Sequence, residues 1–188
     1  MAVSSARLFV LGVLARRGPM HGHQIRRSAQ IDHLDLWTDV KPGSLYGVLQ
    51  RMDGEGLVRQ LRVEQEGKRP PRTVYEITED GRHELEVLRA RTLRDGKLIP
   101  DPVDLALGQV PGMREETARA ALTDRRSALA HQLQTMRHLR AEADPYLGAM
   151  EKHIFEHTIR RLQLDIDWLD EILSQLPQLT AEPEGHGQ

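Results

Sequence analysis

The sequence predicts a mainly α-helical fold in which a small two-stranded β-hairpin interrupts a series of helices. Apolar residues recur at helical spacing through most of the 188 residues. Only the stretches 57–64 and 73–78 alternate between apolar and polar residues in the manner of strands. Glycines and prolines are concentrated between residues 93 and 113. They predict a linker with one short helix, which separates a first domain (1–92) from two long helices within residues 114–178.

Composition excludes several classes of protein. The chain contains no cysteine, which excludes a disulfide scaffold, a thiol nucleophile and a thiolate metal site. We read no signal peptide at the start and no apolar run of the roughly 20 residues that a membrane span needs, so we expect a cytoplasmic protein. Residues 179–188, rich in Glu, Gly and Pro, predict a disordered tail.

Charge is divided unevenly along the chain. The net charge of −2 combines 15 Lys and Arg against 12 Asp and Glu in residues 1–92 with 11 against 16 in residues 93–188. The first part therefore carries +3 and the second −5. An excess of cations favours contact with phosphate groups in the first part, although an ordinary solvated surface explains a difference of this size equally well.

Three helices are expected before the hairpin. The first carries Leu8, Leu11 and Leu14 on one face and ends at Gly18-Pro19. The second spans about residues 21–30, with Ile25 inward. Pro42 opens the third, because the first helical position loses nothing by lacking an amide hydrogen.

The third helix has one apolar and one bare face. At 100° per residue, Leu45, Val48, Leu49 and Met52 share one arc, and Gly43, Gly47 and Gln50 lie opposite. A glycine in an exposed helix costs about 1 kcal/mol relative to alanine. The pattern therefore indicates that a partner approaches the backbone here, although Gly43 is also explained as a tolerant first-turn residue.

The hairpin and the following helix complete the first domain. Leu61 and Val63 are expected on one side, facing Tyr75 and Ile77. The tip, residues 65–72, carries three cations and two prolines and forms a stiff basic projection. Thr78 is expected to cap a fourth helix.

Beyond the linker, two apolar stripes at helical spacing suggest assembly. A second subunit is the economical way to cover them, and an intramolecular hairpin is the alternative. The dimerisation residues predicted on the last helix are Leu147, Met150, Ile154, Leu162, Ile166, Leu169 and Leu173.

Three short helices followed by a hairpin with a basic tip are the elements of a winged helix-turn-helix domain, in which the third helix enters the DNA major groove. In that order the sequence closely resembles the PadR family of bacterial transcriptional regulators. The elements that carry the resemblance are Met20-His21-Gly22-His23-Gln24-Ile25, Lys41-Pro42-Gly43-Ser44-Leu45-Tyr46, Asp53-Gly54-Glu55-Gly56-Leu57-Val58 and Tyr75-Glu76-Ile77-Thr78-Glu79-Asp80-Gly81. The resemblance implies a homodimeric repressor that binds a palindromic operator and is released by a small, often aromatic or drug-like, effector, with no cofactor.

The resemblance also assigns residues to contact with double-stranded DNA. Gln50 is the best placed to read a base edge, and the cations of the hairpin tip suit the phosphate backbone. Lys41 and Gly47 depart from the family, which often has Ser or Thr at the first position and proline at the second. The predicted DNA-binding residues are Lys41, Pro42, Gly43, Ser44, Tyr46, Gly47, Gln50, Arg51, Lys68, Arg69, Arg72 and Thr73.

Other readings of the sequence stay open. The aromatics available to an effector are Trp37, Tyr146, Phe155 and Trp168, each of which core packing explains as well.

His153, Glu156 and His157 have the HxxEH spacing of a zinc hydrolase. That spacing lacks a convincing third ligand, and we expect no metal and no catalysis. A winged-helix adaptor that binds protein instead of DNA is a further alternative.

Overall fold

The computed structural model describes residues 5–36, 38, 40–65, 67 and 70–181. The chain divides into two compact units, Met1–Leu98 and Ile99–Gln188. The mainly helical fold with a small antiparallel sheet is confirmed. Among the described residues, no helix is both long enough and apolar enough to cross a membrane.

The first unit contains the predicted helices and hairpin around one core. Its elements are α1 (Ser5–Arg17), β1 (Met20–His21), α2 (Gly22–Ile31), α3 (Leu45–Gly54), β2 (Val58–Glu64), β3 (Arg72–Ile77) and α4 (Glu79–Arg94). The core brings together Leu11 and Leu14 of α1, Ile25 of α2 and Met52 of α3. These residues lie on the faces that helical periodicity assigns to the interior.

The sheet differs from the predicted hairpin in two respects. The strand β1 is an addition: Met20 pairs with Tyr75, and the strand order is β1-β3-β2. The pairing of Leu61 and Val63 with Tyr75 and Ile77 is wrong. The register shifts between Gln60 and Arg62, so that Val58 pairs with Ile77 and Val63 with Thr73. Leu61 lies at the irregularity without a paired residue. Both Leu61 and Val63 are exposed.

The helix α3 begins and ends differently from a plain helix. Pro42–Ser44 form a single 3-10 turn, and the α-helix itself starts at Leu45. At the other end, the Leu57 amide donates to the Met52 carbonyl (2.9 Å) and the Gly56 amide to the Asp53 carbonyl (3.1 Å). This is a Schellman motif, and it needs the left-handed backbone of Gly56, whose φ is +75°.

The carbonyl of Leu57 is a junction between α3, the sheet and α4. It accepts a hydrogen bond from the Thr78 amide (3.1 Å). The Thr78 hydroxyl donates to the Gly56 carbonyl (2.7 Å) and accepts from the Gly81 amide (3.0 Å), which caps α4 as predicted. The end of α3 and the beginning of α4 are therefore fixed to the same two residues.

The second unit contains the short helix α5 (Pro102–Leu107) and two long helices, α6 (Glu115–Ala143) and α7 (Ala149–Leu179). The long helices run antiparallel, since the Gly112 amide donates to the Thr180 carbonyl (3.2 Å). A guanidinium nitrogen of Arg119 donates to the Leu173 carbonyl (3.2 Å). Ala118, Leu122, Leu169 and Leu176 are buried between them.

The turn between α6 and α7 is held by charge. Asp144 forms ion pairs with Arg140 and with the Lys152 ammonium, the latter at 3.1 Å. These donors lower the pKa of the Asp144 carboxyl, Arg140 contributing most. All three side chains keep contact with solvent, so the pairs add little to stability and mainly define the turn.

Candidate nucleic-acid interface

The helix α3 presents a face with little side-chain bulk. Leu45, Val48, Leu49 and Met52 are buried in the core. The opposite face is exposed and consists of Gly43, Ser44, Tyr46, Gly47, Gln50 and Arg51. A Cβ atom added at Gly43 or Gly47 would meet nothing within 4 Å. The protein itself therefore does not require glycine at either position.

The start of α3 is closed by the backbone and by Ser44. The Ser44 hydroxyl donates to the Lys41 carbonyl (2.8 Å). Lys41 makes no side-chain capping bond, as expected from the loss of the family's Ser or Thr at that position. Its side chain is exposed, and no ion pair within the described ranges neutralises it. An unneutralised cation at this end of α3 suits contact with an anionic partner.

The ring of Tyr46 packs directly on the first turn of α2. A Cβ added at Gly22 would lie 2.4 Å from the Tyr46 ring, which leaves room only for glycine as the ring is placed. This contact joins α2 to α3 at their exposed surface. Sequence periodicity gives no sign of it, because the two residues are 24 positions apart.

The hairpin β2–β3 carries cations of two kinds. The Arg59 Nε lies 2.6 Å from a Glu76 carboxylate oxygen, and the Arg62 Nε lies 2.6 Å from Glu64. Arg72 has no ion pair with any residue that the structure describes. Thr73 is half-buried beside it. Lys68 and Arg69, the other two cations predicted at the tip, lie outside the described residues.

Two histidines at the start of α2 belong to the same surface, although helical periodicity does not assign them to it. The His21 Nδ1 accepts from the Gln24 amide (3.2 Å), and the Gln24 Oε1 accepts from the His21 amide (3.0 Å). This reciprocal capping box starts α2. The rings of His21 and His23 lie 6.1 Å apart. Burial, then the charge of Arg72, then His23 lower the pKa of His21.

The aromatic residues proposed for an effector lie in different surroundings. Phe155 is 7% exposed and Tyr146 is 88% exposed. Trp168 packs against the apolar cluster between α6 and α7. Trp37 lies outside the described residues. Among the three described members of this set, Tyr146 has the ring most available to a ligand.

Among the described residues, the structure brings no third metal-binding side chain to the HxxEH segment. His153, Glu156 and His157 are exposed on α7, and Glu156 is paired with Arg160 at 2.9 Å. Nowhere in the described parts of the chain do three His, Asp or Glu side chains come together as a metal site would require. The structure therefore gives the zinc-hydrolase interpretation no support.

The residues predicted to form a dimer differ in their exposure. Ile166 and Leu169 are buried, and Leu173 is partly buried against the cluster between α6 and α7 of the same chain. The intramolecular hairpin thus accounts for this end of the stripe. Met150 and Ile154, at the other end of α7, remain 72% and 43% exposed. Leu147 and Leu162 are half-buried.

Helices α2 and α3, the hairpin β2–β3 and the fixed junction with α4 define a winged helix-turn-helix protein, here with a helical second unit. The model of the family described as "Transcriptional regulator PadR-like family" matches residues 10–87. Over these residues, which make up less than half of the chain, the protein is similar to the PadR-like family of transcriptional regulators.

Solved structures share the fold over nearly the whole chain. PadR of Bacillus subtilis in complex with operator DNA is 18% identical, with a TM-score of 0.74 over 94% of this chain and 99% of that one. The same protein in complex with p-coumaric acid has a TM-score of 0.69 at 18% identity, covering 91% and 98%. A PadR-like regulator of Bacillus cereus has a TM-score of 0.66 at 17% identity, covering 93% and 99%. No curated protein matches the sequence significantly.

Proposed function

We propose that this protein is a PadR-like transcriptional regulator, a cytoplasmic repressor that binds a palindromic DNA operator as a homodimer and is released by a small aromatic or drug-like effector. The observation that carries the proposal is the bare face of α3. Gly43 and Gly47 leave the backbone open where the protein has no need of glycine. The exposed amide of Gln50, on the same face of α3, is suited to an adenine edge in the major groove.

The charge around this face supports DNA as the partner. Lys41, Arg51 and Arg72 form no ion pair within the described part of the chain. Cations without protein partners lower the cost of approach by a phosphate backbone and raise affinity through counterion release. The B. subtilis neighbour, solved with operator DNA, has the same fold.

A second copy of the chain would use the open end of α7. Met150 and Ile154 are exposed apolar residues four positions apart, which places them on one face of the helix. Two copies related by a two-fold axis would bring two α3 helices to half-sites about 34 Å apart. This arrangement predicts a palindromic operator.

A structural neighbour and an exposed aromatic ring support an aromatic effector. The B. subtilis neighbour has been solved with p-coumaric acid, a small aromatic acid. Tyr146 offers an exposed ring for stacking in this chain. Trp168, half-buried on the same unit, is a fluorescent reporter of binding there.

The decisive experiment is a gel shift of the full chain on the DNA upstream of its own coding sequence. We expect salt-sensitive binding that an unrelated duplex of equal length does not displace. Gln50→Ala should weaken binding to the operator more than binding to the unrelated duplex, since it removes a base contact and no charge. Equal affinity for both duplexes at all salt concentrations would refute the proposal.

A further inference from the structure

A polar hollow lies between the first turn of α2, the helix α3 and the strand β3. Its volume is about 370 Å³. The described polar side chains that line it are hydrogen-bond donors or can act as donors: His21, His23, Tyr46, Gln50, Arg72, Thr73 and Tyr75. No carboxylate is among the lining residues that the structure describes. A donor-lined hollow that contains a guanidinium suits an anion.

Arg72 supplies the charge of the hollow. Glu64 lies opposite Arg72 in the register of strands β2 and β3, and both residues line a neighbouring depression. The Glu64 carboxylate, however, forms its ion pair with the Arg62 Nε at 2.6 Å. Arg72 thus keeps its charge without an acidic partner among the described residues. It is only half-buried, so an anion can reach it from solvent.

His21 supplies a hydrogen-bond donor, and its cap on α2 determines which ring nitrogen carries the proton. Its Nδ1 is the acceptor for the Gln24 amide, so the neutral ring carries its proton on Nε2. The capping box fixes the position of the ring. Tyr75 also lines the hollow, and burial and then the charge of Asp53 raise the pKa of its hydroxyl.

We propose that this hollow is a subsite for one backbone phosphate of the DNA, held by the charge of Arg72 and the Nε2–H of His21. The inference rests on the DNA-binding function proposed above and assigns a role to the first turn of α2. The packing of Tyr46 on Gly22 completes the wall on the side of α3. A phosphate held here would set the register in which Gln50 meets the bases.

The test measures the affinity of the full chain for an upstream fragment and for an unrelated duplex across a range of salt concentrations. Removing one phosphate contact made by a cation reduces the slope of log affinity against log salt by about one. We therefore expect Arg72→Gln to lower the slope by about one on both duplexes. Arg89→Gln removes the same charge from α4, outside the hollow, and should leave the slope unchanged.

His21→Asn tests the neutral donor. Asparagine is a good N-cap, so α2 keeps its start. We expect affinity for both duplexes to fall by roughly tenfold, the value of a hydrogen bond to a charged group, with little change in slope. His23→Asn, which removes no capping bond and leaves the proposed phosphate donor in place, should have a smaller effect.

The results of these binding measurements distinguish a failure of the phosphate subsite from a failure of the proposed DNA-binding function. Wild-type protein that binds neither duplex overturns the proposed function and the subsite together. Wild-type binding with a slope that Arg72→Gln lowers no more than Arg89→Gln overturns the subsite alone. Loss of discrimination in Arg72→Gln with unchanged affinity for the unrelated duplex would mean that Arg72 reads a base, and would also overturn the phosphate assignment.

Discussion

A methyl group at Gly81 would lie 2.0 Å from the carbonyl oxygen of Leu57. The first turn of α4 therefore packs on the backbone that leaves α3, with no space for a side chain. Glycine at position 81 is explained by this contact, and its φ is not in the left-handed region. The Gly at the end of the Tyr-x-Ile-Thr-x-x-Gly motif thus has a packing role.

We predict that Gly81→Ala lowers the free energy of unfolding by about 1–3 kcal/mol, the usual cost of overpacking. The backbone carbonyl cannot move aside as a flexible side chain could, because it also accepts the Thr78 amide. Urea unfolding monitored by circular dichroism measures the change. Gly54→Ala is the matched control, since that site is open and helical. Equal midpoints for the two variants would contradict the explanation.

We predict that Gly47→Ala stabilises the protein and weakens its binding to DNA. The site is open in the free protein, so alanine should gain up to about 1 kcal/mol through helix propensity. If DNA approaches the backbone there, the added methyl group obstructs the approach. Affinity from fluorescence anisotropy and stability from urea unfolding should change in opposite directions. An unchanged affinity for the operator would show that glycine at position 47 serves no contact.

The capping role of His21 makes stability depend on pH. The pKa of His21 in the folded protein is lower than its ordinary value of 6.5, mainly through burial and then through Arg72. The unfolded chain therefore binds more protons near pH 6, and the free energy of unfolding falls as pH decreases below about 6.5. Protonation also removes the acceptor for the Gln24 amide.

We predict that wild-type protein loses more stability than His21→Asn between about pH 7.5 and about pH 5.5. Asparagine caps the helix without titrating in this range. Urea unfolding at the two pH values measures the difference. His23→Asn keeps His21 and its neighbours Arg72 and Glu64, so it should retain most of the wild-type dependence. Parallel curves for wild type and His21→Asn would show that the cap is not linked to protons.

We predict that Ile154→Glu weakens self-association. A carboxylate in the exposed apolar surface of α7 would be buried without a partner in a dimer that uses this surface. Light scattering coupled to size exclusion should show the monomer at concentrations where the wild type is dimeric. His153→Glu, one position away and already polar and exposed, should leave the dimer intact. A dimer that tolerates both substitutions must use another surface.

Helical periodicity predicts the buried residues correctly where a helix packs against the core of its own unit. The inward faces of α1, α2 and α3 follow from spacing alone, because each needs only a single apolar direction. The open glycine face of α3 follows from the same arithmetic. These elements locate the candidate interface from the sequence.

The features that the sequence did not reveal depend on pairing between distant residues. Strand β1 has two residues and exists only because Met20 and His21 pair with β3. The irregularity at Leu61 shifts the register of an alternation that looks regular in sequence. His21 was not assigned to the interface, since its neighbours Arg72 and Tyr46 come from other elements.

The long helices show a further limit of periodicity. A stripe of apolar residues indicates that a helix is covered, but not by what. In α7 the same stripe is covered by α6 at Leu169 and left open at Met150. Which residues of the stripe are buried depends on where α6 packs against α7, and the spacing of apolar residues does not contain that information.

The hydrogen bonds at Gly56 and Leu57 have a consequence for the order in which the domain opens. The carbonyls of these two residues are held by Thr78, and the Leu57 amide closes α3. If the last turn of α3 unwinds, the backbone of Gly56 and Leu57 moves, and the hydrogen bonds that hold Thr78 at the start of α4 are lost. We therefore expect the two helices to open as one cooperative unit in native-state hydrogen exchange. We expect the buried amides of α3 and α4 to exchange with a common opening free energy.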